Sequence, residues 1–256
     1  MPIIDADLSQ IEWRVAAYLS QDPTMIHEIN NGIDQHAAAC VDLMERELTK
    51  ENRNDAKIFN FRMIFDGSAY GFYMDNKMPN FTQKKWTTIV DRFKEKYRAL
   101  FTYHSKNLME VRNSGGWLRA QSGRYYRFHK RYKQGHGWDY SPSQVANKLI
   151  QAMAAEIMKL AIIHIRRKLK PMPEVLLIDQ VHDSIIIDCP EKYVDKVATI
   201  CYNVFIELPV LIEKYLTGKP FNVLLEGEVD VGPTWGEVAP YIGSKCASPI
   251  YHNKGK

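Results

Sequence analysis

Residues 174–189, EVLLIDQVHDSIIIDC, carry two apolar, β-branched runs around the polar tip Gln180-Val181-His182-Asp183. Runs of this length and composition predict a β-hairpin with buried strands and an acid at its turn. The chain opens on the same pattern: Ile3-Ile4-Asp5-Ala6-Asp7-Leu8 reads as a strand that ends in a carboxylate, ahead of a helix-compatible segment. From Gln10 to Ser20 the apolar positions Ile11, Val15, Ala16 and Leu19 follow a helical period, which Asp22-Pro23 breaks. A second helix is predicted from Asp34, a capping residue, through His36 and Val41 towards Arg46. Arg53 to Phe65, RNDAKIFNFRMIF, reads as a third; Asp66-Gly67 ends it and a turn-like Ser68-Ala69-Tyr70-Gly71 follows.

Helical, aromatic segments continue from Phe81 to Arg112, and residues 114–124, SGGWLRAQSGR, alternate and turn as a hairpin does. Tyr125 to Lys133 then interleave basic and aromatic side chains, a pattern suited to tracking a nucleic-acid backbone and equally to a plain charged surface. A long helix is predicted from Ser143 to Lys168, capped by Ser141-Pro142 and ended by Pro171 and Pro173. An amphipathic helix covers Tyr193 to Leu208 and stops at Pro209; Val223 to Val229 reads as a last strand, and the polar tail after Tyr241 as loosely held. The fold class is α+β: an antiparallel sheet of opening strand, central hairpin and last strand, with packed helices and a mostly helical insertion.

At 256 residues the chain fits one large domain or two subdomains. The net charge of +4, unevenly spread, favours an anionic partner. Cys40, Cys189, Cys201 and Cys246 lack zinc or disulfide-scaffold spacing and read as reduced, intracellular thiols. The sequence shows no apolar run of membrane-span length and no signal-peptide pattern, so a cytoplasmic protein without a membrane partner is expected. Ser/His/Asp groupings, a P-loop and a GxGxxG after a strand are all missing. What remains is an acid at the end of each of two apolar strands. The fold is expected to bring Asp7 and Asp183 together to hold two divalent cations. Arg53, Lys57 and Phe61, at successive i, i+4 steps, share one helix face.

In order and spacing these segments resemble the palm and fingers of a family A DNA polymerase, the DNA polymerase I type, from Asp5 to Trp235. Asp7-Leu8-Ser9-Gln10-Ile11-Glu12-Trp13-Arg14 is similar to that family's first palm motif, DxSQIExR. Arg53, Lys57, Phe61 and Tyr70-Gly71 fit its fingers-helix motif. Asn147, Gln151 and the alanine-rich helix resemble the segment that reaches the primer–template minor groove, and Val181-His182-Asp183 resembles the third motif. One such motif is weak evidence; four in order are specific.

The resemblance implies a palm at residues 1–24 and 142–240, fingers at 25–141 and a loose tail at 241–256. It implies nucleotidyl transfer from dNTPs to a primer 3′ end, with two Mg2+ ions, replaceable by Mn2+, on Asp7, Asp183 and the Leu8 backbone carbonyl. Gln10, His36, Arg53, Lys57 and Phe65 are implied at the dNTP, with Phe61 stacking on its base and Glu12 excluding a ribose 2′-OH. Arg124, Arg127, Lys130, Asn147, Gln151 and His182 are implied at the DNA, His182 bracing the hairpin instead of transferring a proton.

The sequence departs from the family pattern at Ser184, where glutamate is usual, at Arg62 and Asp66, where glycine is common, and at Phe65, where tyrosine is usual. Asp7 stands almost at the initiator methionine, so the chain is expected to be either an expressed fragment or, the favoured reading, one half of a split phage-type enzyme whose thumb, exonuclease or both lie on a separate polypeptide. Ser184 and the missing thumb support a second reading, a non-catalytic polymerase-like subunit for DNA binding or assembly. An RNA-synthesising or reverse-transcribing palm enzyme is opposed by Glu12 and the Arg53–Lys57–Phe61 helix.

Overall fold

The computed structural model describes residues 1–133, 135 and 137–241; Cys246 and the tail expected to be loose lie outside the described residues, Tyr241 excepted. The chain forms two compact units, the first of Met1–Ile11, Ala154–Phe221 and Leu225 onward, the second of Glu12–Met153 with Asn222–Leu224.

In the first unit, strands β1 (Ile3–Leu8), β6 (Leu176–Val181), β7 (Ser184–Asp188), β8 (Gly227–Gly232) and β9 (Ala239–Pro240) form an antiparallel sheet in the order β6-β7-β1-β8-β9. The α+β class read from the sequence is the one observed. β1 alternates strictly, with Ile4, Ala6 and Leu8 buried and Ile3, Asp5 and Asp7 half-buried on the other face. Helix α9 (Val194–Ile212) contacts β1 and β8, and its buried stripe includes Val197, Cys201, Phe205 and Ile212. At Gly227 a Cβ would overlap the Phe205 ring, so helix and strand approach this closely only because that side chain is missing.

Three expectations for this unit need correction. Only β7 of the hairpin is buried: β6 is the sheet edge, bulges between Leu177 and Asp179, and exposes Leu176 and Ile178. Pro209 lies inside α9, which continues to Ile212; the burial of Leu208 and Ile212 on either side outweighs the lost N–H. The last strand begins at Gly227, not Val223. Asn222 and Leu224 are used in the second unit instead, where Asn30 donates to the Asn222 carbonyl (3.1 Å) and its own side chain accepts from the Leu224 N–H (2.8 Å).

The second unit is largely helical: α1 (Ile11–Ser20, entering from the first unit), α2 (Pro23–Asn30), α3 (Gln35–Ala38) running into a π-turn at Ala39–Leu43, α4 (Lys50–Met63), α5 (Ala69–Tyr73), α6 (Gln83–Lys96) and α7 (Arg98–Asn113). Its core is aromatic. Phe59 lies 5.4 Å from Phe93 and 5.0 Å from Phe72, Phe72 stacks on Trp86 at 5.0 Å, and Trp13 meets Tyr97 edge-on at 5.6 Å. Asp22 ends α1 as predicted, but it also starts the unpredicted α2 and caps the following α7. One carboxylate oxygen accepts from Thr24 and Met25 N–H groups, the other from Ala99 (3.0 Å) and Leu100. The turn expected at Ser68–Gly71 is the first turn of α5, with the Ser68 hydroxyl accepting from Gly71 N–H.

Two ribbons follow, β2 (Trp117–Arg119) with β3 (Tyr125–Arg127) and β4 (Arg131–Lys133) with β5 (Gly137–Asp139); the second was not predicted. Helix α8 (Pro142–Leu169) then carries the chain from the second unit back to the first.

Candidate active site

β1 ends at Leu8, and β6 and β7 are joined by the two-residue turn His182-Asp183. His182 adopts φ 54°, the left-handed value that such a tight hairpin requires at its centre. Asp7 pairs with Ser184 across β1–β7, and the Leu8 N–H donates to the Asp183 carbonyl (3.0 Å). That register brings the two side chains together: the Asp7 carboxyl hydrogen-bonds to that of Asp183. Burial, then the charges of Asp183, Asp5 and Glu228, push the Asp7 carboxyl up to about 7. Two carboxyls within hydrogen-bonding reach, flanked by further acids, are a hard-oxygen donor set starved of positive charge. They fit magnesium, which needs few protein ligands because water and phosphate complete its shell. The chain offers no cluster of three or more His, Cys, Asp or Glu arranged as metal ligands among the described residues.

Asp5 was not singled out in the sequence, although its place two residues before Asp7 put it on the same strand face. Its carboxylate accepts from the Ser184 hydroxyl and from Trp235 Nε1 (3.0 Å). Ser184, where the family usually has an acid, therefore holds an acid that stands on the neighbouring strand. On β8, Asp230 pairs with Asp5 and Glu228 with Asp7. Asp230 is raised by burial and by Glu228 and Asp5. Gln10, just beyond β1, is exposed at φ 54°; His182 is exposed, and it is its carbonyl that accepts from Gln180 (3.1 Å).

In the second unit, Thr49 caps α4 by accepting from the Asn52 N–H, and the 3.6-residue period sets Arg53, Lys57 and Phe61 along its outer side. Arg53 Nε donates to Asp34 (2.7 Å), which holds the Asp34 carboxyl below its usual range despite burial. Lys57 is exposed and has no ion-pair partner among the described residues. Phe61 is half exposed and meets Phe65 edge-on at 5.2 Å. His36 is buried, with its Nδ1 3.0 Å from the Asn60 amide nitrogen. Burial, aided by the charges of Arg53 and Lys57 and opposed by Asp34, lowers it to about 4. At neutral pH this histidine is an uncharged donor, not a cation. Glu12 is half-buried in the first turn of α1.

The two family departures beside α4 have structural uses. Arg62 donates to Asp75 (2.7 Å) and to the Gly71 carbonyl (3.2 Å) and lies 4.4 Å over the Phe72 ring, tying α4 to α5. Asp66 takes the left-handed position after the helix, φ 62°, that glycine fills most easily.

Phe65, Arg127 and Asn147, far apart in sequence, line one cavity of about 540 Å³ together with Arg131, Gln144 and Lys148. Arg131 and Lys148 were not among the predicted contacts, although the basic run 130–133 was the visible signal. Arg124 and Lys130 are exposed near it in sequence, and Gln151 is exposed one turn beyond Asn147 on α8.

The chain belongs to DNA polymerase family A, whose family model matches residues 1–237. It is 29% identical over 220 residues to DNA polymerase I of Caldicellulosiruptor bescii, a match covering 82% of this chain and 26% of that protein. It is 27% identical over 237 residues to DNA polymerase I of Bacillus subtilis, covering 91% of this chain and 26% of the relative. The chain thus spans about a quarter of the length of these relatives. Its fold is similar to the POL domain of Pol1 from M. smegmatis in complex with DNA primer-template and dNTP, with a TM-score of 0.75 at 22% identity over 92% of this chain and 40% of that one.

Proposed function

We propose that this chain is the catalytic part of a template-directed DNA polymerase, adding nucleotides from dNTPs to a primer 3′ end. The observation that carries the reading is the closure of Asp7 onto Asp183, in a setting that favours a divalent cation. In this reading residues 1–24 and 142–240 act as palm and residues 25–141 as fingers. Asp7, Asp183 and the Leu8 carbonyl would hold two Mg2+ ions, for which Mn2+ could substitute. When bound, these would stabilise the charge on attacking and leaving oxygens of an in-line displacement at phosphorus.

The chain's own groups do the rest. Asp7 gives up its proton to become a ligand, and Asp5, fixed by Ser184 and Trp235, keeps a negative field beside it. Lys57 meets the triphosphate as a point charge and Arg53 offers the guanidinium nitrogens that Asp34 leaves over. His36 donates as neutral imidazole, and Gln10 contributes to dNTP binding. Phe61 and Phe65 offer ring faces to the base, while Glu12 crowds the sugar's 2′ side. Arg124, Arg127, Lys130, Asn147, Gln151 and His182 contact the primer–template.

Primer extension with Mg2+ tests it. Asp7→Ala should abolish incorporation while primer–template binding persists. Incorporation that survives Asp7→Ala sinks the metal assignment. Binding without turnover in the unaltered complex would favour the non-catalytic subunit.

A further inference from the structure

Behind its sheet, the first unit carries a helical surface that the proposed reaction does not use. Helix α9 turns its buried stripe to β1 and β8, and on its other side Ile206 and Val210, one turn apart, stand 49% and 67% exposed. Two contacts set α8 alongside. Lys168 ion-pairs with Glu207 (2.9 Å), and the His164 ring lies 5.9 Å from that of Tyr215, in the π-turn Glu213–Thr217 that follows α9. Ile163, next to His164, and Tyr215 are themselves 45% and 51% exposed, so both elements carry apolar surface into solvent. Cations frame it. Residues 157–173 hold Lys159, Arg166, Arg167, Lys168 and Lys170, all exposed, and no acid. Lys214 adds an ammonium 5.0 Å from the Tyr215 ring centre. Several of these charges converge on His164: burial and then Arg167, with Lys168 and Lys214 beyond, hold its imidazole below the usual range, against the pull of Glu207.

We propose that this face of α8 and α9 docks an acidic amphipathic helix of a partner polypeptide. Four large apolar side chains held in solvent cost free energy that an apolar partner surface recovers. The cations around them call for a partner whose apolar stripe is rimmed with acids, the centre-and-rim arrangement of a protein interface. Apolar residues at i, i+3, i+4 and i+7 of the partner meet Ile163, Ile206, Val210 and Tyr215, and its flanking carboxylates meet Arg166, Arg167 and Lys214. Ile and Val offer no ring on which a base could stack, which argues against nucleic acid. Glu207 and Glu213 neighbour the apolar positions, which argues against an anionic lipid surface, whereas a helix can set a polar or basic residue opposite each. None of these residues belongs to the proposed site, so the inference stands apart from the polymerase reading.

The test titrates the full chain into a dye-labelled synthetic helix of leucine and glutamate, with the leucines on one face, and follows anisotropy without metal, dNTP or DNA. Saturable binding that weakens as salt rises is expected. A peptide of the same composition with its leucines dispersed around the helix should bind about tenfold more weakly or worse. Val210→Glu sets a charge against the apolar stripe and should weaken binding about tenfold or more, while Val210→Leu should not. Arg167→Glu with Lys214→Glu should lose the glutamate peptide and gain one in which lysine replaces glutamate, a reversal that an unfolded variant cannot show. No saturable binding up to about 1 mM, equal binding of the dispersed peptide, or unchanged affinity in Val210→Glu would overturn the proposal. Displacement of the peptide by oligothymidylate or by phosphatidylglycerol vesicles would do so too, assigning the face to nucleic acid or to lipid. Primer extension keeps the two readings apart. Peptide binding by a chain that never extends a primer removes only the polymerase, and extension by a chain that binds no such peptide removes only the docking surface.

Discussion

Asp7 must lose a proton before it can bind a cation, because burial and its acidic neighbours hold its carboxyl at about 7. The folded chain therefore binds that proton more tightly than the unfolded chain, whose Asp titrates near 3.8. Without metal, Asp7's contribution to stability should fall as pH rises from about 4 to about 7 and level off above, the reverse of a salt-bridged carboxylate. Cation affinity should move oppositely, rising by up to about tenfold per pH unit below 7. Mn2+ binding followed by paramagnetic resonance across that range checks this, and a pH-independent affinity would refute it. Asp5→Asn removes one negative neighbour and should shift the midpoint down. Asp66 gives a second prediction at this scale. Its left-handed φ and half-buried carboxyl, raised by burial, both cost stability. Asp66→Gly should raise stability by about 1 kcal/mol, read from urea midpoints at unchanged slope.

Among elements, the helix starts show most clearly how a few side chains set the architecture. Asp22 serves two helix ends with one carboxylate, so Asp22→Ala should cost about 2–3 kcal/mol, two caps' worth, while Asp22→Asn, with one oxygen left to accept, should recover about half. Equal unfolding midpoints for the two variants would show that only one cap matters. Legibility followed the same physics. The β6–β7 turn, β1 and α4 were readable because period and punctuation agree locally, and with them came Asp7, Asp183, Arg53, Lys57 and Phe61. The edge position of β6 was not, since an apolar run looks the same in the centre of a sheet and at its rim. Nor was Pro209, whose local veto is overruled by the packing of Leu208 and Ile212. β4–β5 escaped because each strand is three residues long and its polar sequence shows no hydrophobic period. Asp5 escaped for another reason: an acid beside an acid reads as solvated surface until cross-strand pairing supplies Ser184 and, through β8, Asp230.

The molecule as a whole divides its chemistry between its two units. The paired carboxylates lie in the first and the cations of α4 and the ribbons in the second. That division makes the proposed functions separable by substitution. Asp183→Asn removes a ligand that matters while charge develops on the reacting oxygens, so kcat should drop by about a hundredfold or more with dNTP and primer–template binding retained. Lys57→Ala removes a charge that meets the triphosphate in ground and transition state alike. Its effect should fall on KM for dNTP, about ten- to a hundredfold for a charge-assisted hydrogen bond, with kcat and DNA affinity little changed. Steady-state extension of a defined primer at varied dNTP, alongside equilibrium DNA binding, reads all of these quantities. If both variants instead lower kcat by the same factor at unchanged KM, Lys57 acts only in the transition state, and its role moves from holding the substrate to stabilising the leaving pyrophosphate.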